Sequence, residues 1–229
     1  MTLFWHDPQF GNRMIMLMAT LILVLQIMMV GQRWLVTNIR AFAVQSFLLA
    51  SIAATIAYYN RAPVIYFVAA LTLIFRGILL PVVLEKLVAR IEIRREIEPL
   101  VNVPLSLVIS GFLTLLAYVV AESFHRPGEA RGAASLGHNT LAVAIALFLI
   151  GFFMMVNRRK AVTQILGLLS LENGIFLAAI SLTYGMPLIV EIGIFFDVLV
   201  AILLFAVLIF RISETFDSMD VSRLDRLRG

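Results

Sequence analysis

Seven apolar runs alternate with short polar stretches along the chain, near residues 14–32, 41–59, 62–84, 99–122, 138–156, 161–184 and 187–210. Each is about as long as the roughly 20 helical residues that cross a hydrocarbon core about 30 Å thick. Strands of a membrane barrel would be about half that length and would alternate apolar with polar side chains. The pattern predicts an all-α integral membrane protein with seven transmembrane helices.

Charges between the runs set the expected orientation. One set of ends carries Arg33, Arg40, Lys86, Arg90, Arg94, Arg95, Arg158, Arg159, Lys160, Arg211, Arg223, Arg226 and Arg228, the other only Arg13, Arg61, Arg126 and Arg131. The positive-inside rule then places the N-terminus outside and the C-terminus in the cytoplasm. The start, Met1 to Pro8, lacks a basic n-region and a small-residue cleavage site, so the first helix is expected to stay in the mature protein. Shifting the sequence by 124 residues lays the first run on the fifth and Pro63 on Pro187. That spacing allows a parallel duplication of a three-helix unit, helices 1–3 and 5–7 linked by helix 4; chance alignment of similar helices is the competing account.

Four segments follow from this pattern. Residues 1–98 form an N-terminal three-helix unit plus an amphipathic cytoplasmic connector, Glu85–Glu98, stopped by Pro99. Residues 99–137 hold the fourth helix and an outer loop, 138–212 a second three-helix unit, and 213–229 a cytoplasmic tail.

Composition agrees with the pattern: 62% of residues are hydrophobic and 14% charged, against about 45–50% and about 25% in soluble domains. The net charge of +4 does not indicate nucleic-acid binding, because the arginines lie between apolar runs and no recognition motif accompanies them. Cysteine is absent, which excludes disulfides and cysteine-held clusters, and no cofactor is expected in this chain. His6, His125 and His138 lack a second ligand at helical spacing, so no metal or haem site is expected.

The candidate chemistry lies in the last two runs, joined by the corner Thr183-Tyr184-Gly185-Met186-Pro187. Glu172 interrupts the first, and Glu191 and Asp197 the second. A carboxylate at the bilayer centre costs about 2.5–3.5 kcal/mol, so such residues usually face a protein interior or a water path. Counting helical rise places Glu172 about 18 Å below the outer end, Asp197 about 15 Å and Glu191 only about 6 Å. Arg76, in the third run, lies at about 20 Å on the same scale. Glu172, Asp197 and Arg76 are thus nearly level.

Burial disfavours an ionised carboxyl and a nearby arginine favours it, so a site under both influences can respond to a neighbour's charge. Glu172 is the leading relay candidate, with Gln164, Ser170 and Asn173 on its helix as supporting polar groups and Asp197 as lateral partner. Glu191 serves the outer end of a path or snorkels to the interface. Arg76 cannot give up its proton; it tunes the site or forms a structural ion pair, and both readings stand. Ser46, Ala50 and Ala54 give the second helix a small-residue face for close packing.

The last three helices resemble the K-type subunit of the complex I membrane arm. The matching features are Asn157-Arg158-Arg159, Gly167-Leu-Leu-Ser-Leu-Glu172-Asn173, a second acidic helix, and Ser218-Met-Asp-Val221. With its extra N-terminal helices and Glu191-Ile-Gly-Ile-Phe-Phe-Asp197, the whole chain resembles hydrogenase-4 component E. That resemblance implies a subunit of an energy-converting [NiFe]-hydrogenase or formate hydrogenlyase complex in a prokaryotic plasma membrane. Antiporter-like and anchor membrane subunits, and soluble hydrogenase subunits on the cytoplasmic side, are the implied partners. Glu172 takes the place of the family's first intramembrane glutamate, and Asp197 or Glu191 the second.

The expected function is a lateral proton relay through these carboxylates, with redox chemistry carried by other subunits. A structural scaffold of the same arm, and a C-type subunit of a multi-subunit sodium/proton antiporter, are the alternatives.

Overall fold

A computed structural model describes residues 8–61, 63–91, 100–123 and 135–183. Helix α1 (Pro8–Gly31) is followed by α2 (Leu35–Asn60). The next span is composite, with α3 (Pro63–Thr72), a π-helical stretch over Leu73–Leu79, and α4 (Leu80–Ile91). Then come α5 (Val103–Ser123), α6 (Ser135–Asn157) and α7 (Ala161–Thr183). The described residues are all-helical apart from short connections, and six helical spans are long and apolar enough to cross a membrane. The expected seventh span, 187–210, lies outside the described residues, and with it the proposed duplication of three-helix units.

Several ends differ from the sequence expectation, each for a local reason. α1 begins at Pro8 rather than near 14, a first helical position that suits proline's fixed φ. α2 begins at Leu35 rather than near 41, so Arg40 lies inside the helix instead of in a loop. Its side chain reaches outward, and its Nε donates to Glu85 Oε1 at 3.1 Å. α2 ends on Arg61 in the left-handed conformation, φ 50°, with its N–H on the Ala57 carbonyl, a common helix stop. The fourth span starts at Val103 rather than 99, because Asn102 caps it: Leu105 N–H donates to Asn102 Oδ1 at 3.2 Å. The connector expected over Glu85–Glu98 is a helix extension as far as Ile91; its remainder lies outside the described residues.

The bundle encloses its polar side chains within an apolar core and turns large apolar side chains outward. Leu17, Val24, Phe67, Ile78, Phe112 and Leu115 are exposed, while Gln26, Gln45, Arg76, Glu172 and Asn173 are buried. Hydrocarbon around the bundle would favour this arrangement, since it solvates apolar side chains and offers polar ones nothing.

α6 and α7 form an intimate pair. A Cβ on Gly151 would lie 2.6 Å from Leu171 N, one on Gly167 2.7 Å from Met155 N, and one on Gly174 2.7 Å from Phe148 N. Three glycines therefore let the two backbones touch, as small residues do in membrane helix pairs. On α2, Ser46 and Ala50 are buried as the small-residue pattern anticipated, whereas Ala54, its third member, is half-buried and the buried stripe continues through Ala53 and Ala57.

The α6–α7 connection ties two further helix ends together. Arg158 is only 1% exposed, and its Nη2 donates to Val30 O at 2.6 Å and Gln32 O at 3.2 Å. It thereby supplies a cation and donors where the last carbonyls of α1 lack helical partners. Its neighbour Asn157 accepts from Val101 N–H at 2.7 Å and donates to Ser106 Oγ at 3.0 Å, holding the start of α5. Arg158, counted from sequence as a loop charge, is a buried cap.

Candidate functional site

α7 places Glu172 and Asn173 mid-helix, on the side turned into the bundle. The opposing group comes from the π-helical stretch. A π turn holds one more residue than an α turn and often marks a functional position. Here Arg76 faces inward, while its neighbours Ile74, Phe75 and Ile78 face outward.

Arg76 and Glu172 are 3% and 4% exposed. Arg76 Nη2 donates to Glu172 Oε2 at 3.2 Å, and Nη1 donates to Asn173 Oδ1 at 2.8 Å. The planar fork thus spans two consecutive residues of α7, a geometry a lysine ammonium does not reproduce. Phe176, one turn beyond Glu172, brings its ring centroid 5.9 Å from the guanidinium carbon, within reach of a cation–π attraction.

The network continues into α2 and α1. Asn173 Nδ2 donates to Gln45 Oε1 at 3.4 Å. Gln45 Nε2 donates to Gln26 Oε1 at 3.0 Å and to the Ile22 carbonyl at 3.4 Å. Four spans therefore meet on one buried polar line.

Two ions withdrawn from water each lose several kcal/mol of solvation, by order of magnitude, and close contact with extra hydrogen bonds offsets this. The Arg76–Glu172 contact and the Asn173 hydrogen bond to the guanidinium supply part of that offset. A carboxylate so held is sensitive to any change in the charge beside it.

Of the residues singled out from sequence, the structure brings together Arg76, Glu172 and Asn173. Ser170 is buried on α7, but two residues before Glu172 and so about 200° round the helix. Gln164 lies at the start of α7, where its Nε2 donates to Arg158 O at 2.8 Å; it serves the helix end and does not reach the pair. Glu191 and Asp197 lie outside the described residues. Gln26 and Gln45 were not singled out. Their signal was available, since a buried amide inside a membrane span usually finds a partner on another helix.

An all-α chain whose apolar exterior encloses an ion pair at mid-span defines a class: a polytopic membrane protein with an intramembrane charged site. Comparison with known proteins narrows it. A family model described as NADH-ubiquinone/plastoquinone oxidoreductase chain 4L matches residues 139–229. An uncharacterized protein of Mycobacterium tuberculosis is 35% identical over 205 residues, 88% of this chain and 90% of that one. Hydrogenase-4 component E of Escherichia coli K12 is 29% identical over 188 residues, 82% of this chain and 85% of that protein. Hydrogenase-4 component E is thus a homologue of this chain, and the C-terminal part carries the match to the chain 4L family. No solved structure matches it.

Proposed function

We propose that this chain is a membrane-arm subunit of an energy-converting hydrogenase, of the hydrogenase-4 or formate hydrogenlyase type, and that Glu172 is one carrier in its lateral proton relay. The buried Arg76–Glu172 pair is the observation that carries the reading. Arg76 stays charged, so its position sets how strongly Glu172 holds a proton or an ionic charge. A change in charge or hydration along the arm, driven by redox chemistry in soluble subunits, would tip Glu172 between the two states. Asp197 or Glu191 would be the next carrier. Likeness to hydrogenase-4 component E over most of both chains supports the hydrogenase setting, with antiporter-like and anchor subunits as neighbours in a prokaryotic plasma membrane oriented C-terminus inward. The chain itself would perform no redox step.

The test is Glu172→Gln in the assembled complex. Glutamine keeps the shape and an acceptor for Arg76 but cannot carry a proton in the carboxylate range. Hydrogenase turnover and subunit composition should persist while proton translocation is lost; translocation at the wild-type level would sink the proposal.

The same pair supports a second reading, because it joins the third span to α7 and could serve as a scaffold alone. In that case Glu172→Gln would instead deplete the complex from the membrane, visible on a native gel.

A further inference from the structure

The sense of the hydrogen-bonded line through the bundle is set at both ends. Arg76 can only donate, so Asn173 must turn its oxygen to the guanidinium and its NH2 to α2. Gln45 must then present its oxygen to Asn173 and its NH2 to α1. There it meets the Ile22 backbone carbonyl, which can only accept, and Gln26 Oε1. An obligatory donor at one end and an obligatory acceptor at the other leave the two central amides a single consistent orientation.

We infer that Asn173, Gln45 and Gln26 are positioning residues, a carboxamide array of fixed polarity that holds the Arg76 guanidinium in register with Glu172. The inference rests on the reading of Glu172 as a proton carrier and adds what keeps its counter-charge in place. Arg76 stands on a long, rotatable stem in a π-helical stretch, and its Nη2 bonds Glu172. The other terminal nitrogen is held by Asn173 at 2.8 Å. Asn173 is in turn held by Gln45, and Gln45 by two groups of α1. Asn173 and Gln45 each donate away from the arginine and accept towards it, and Gln26 turns its oxygen to Gln45, so the aligned dipoles put their negative ends on the cation side. Carboxamides neither gain nor lose protons where carboxylates do. The array therefore fixes the position of a charge and carries no proton itself.

Solid-state NMR of the full chain in lipid bilayers tests this through the carboxyl 13C signal of Glu172, assigned as the resonance missing in Glu172→Gln, and the terminal 15N signals of Arg76. Asn173→Leu should shift both sets of signals. Gln45→Met, which preserves side-chain length, should shift them in the same sense by less, and Gln26→Met by less again. Ser170→Ala, on the other side of α7, should leave them unmoved. If Asn173→Leu does not fold, the Gln45→Met and Gln26→Met pair carries the test. Unmoved Glu172 and Arg76 signals in Gln45→Met overturn the array. These signals report the geometry of the carboxylate whether or not the chain moves protons, so a failed relay and a failed array give different results.

Discussion

Arg76 and Glu172 stand 96 positions apart in sequence and 3.2 Å apart in space, both almost fully buried. Their pairing means that neither can be changed alone at small cost. Arg76→Leu leaves the Glu172 carboxyl without its counter-charge, and breaking a buried pair typically destabilises by about 3–5 kcal/mol. Arg76→Leu combined with Glu172→Leu should recover most of that loss, since apolar replacement of both partners is often neutral. Unfolding in mixed detergent micelles checks the cycle. Equal instability of the single and double variants would show that the charge pairing is not the source.

Arg76→Lys separates charge from shape. Lysine keeps the cation but offers one nitrogen in place of the fork that reaches Glu172 and Asn173 together. The chain should fold and the complex assemble, while proton translocation per hydrogenase turnover falls clearly below wild type. Full coupling in Arg76→Lys would mean that a point charge suffices.

Much of this site was legible before any fold was known. Apolar run length gave seven spans, six of which fall among the described residues and are helices there, and counting helical rise put Arg76 and Glu172 at one depth. Counting could not show that they face each other, because the π-helical stretch that turns Arg76 inward leaves no mark in Leu73-Ile-Phe-Arg-Gly-Ile-Leu79. Gln26 and Gln45 escaped for a different reason. Amides carry no charge, so a search for costly charges passes over them. Arg158 shows the converse error, since a basic residue beside a predicted helix end reads as a solvated loop charge. Here the loop folds back on the last turn of α1, and the charge is consumed by carbonyl groups.

The glycines between α6 and α7 permit a clean contrast. Gly167→Ala places a methyl against Met155 N and within 3.0 Å of the Gly151 carbonyl, so α7 must move away from α6. Overpacking of this kind costs about 1–3 kcal/mol, and displacing α7 also moves Glu172, five residues on. Gly111→Ala on α5 meets nothing within 4 Å and should be neutral or stabilising by up to about 1 kcal/mol through helix propensity. Thermal unfolding in detergent should order them wild type at or below Gly111→Ala, with Gly167→Ala well below both.

Two charged contacts at the basic end should behave oppositely. The Arg40–Glu85 pair is mostly exposed, 73% and 39% by side chain, and such pairs contribute about 0–1 kcal/mol. Arg40→Ala should therefore leave stability nearly unchanged. Arg158→Met removes a buried donor from the Val30 and Gln32 carbonyls, and a buried polar group left without its partner costs about 1–3 kcal/mol. Because those carbonyls close α1, the loss should appear as faster amide hydrogen exchange in the last turn of α1, with the Glu172 signals unaffected. Equal exchange in Arg158→Met and wild type would remove Arg158 as the cap of that helix. The contrast places the stabilising charge of this loop on the buried arginine and leaves the exposed pair a minor role.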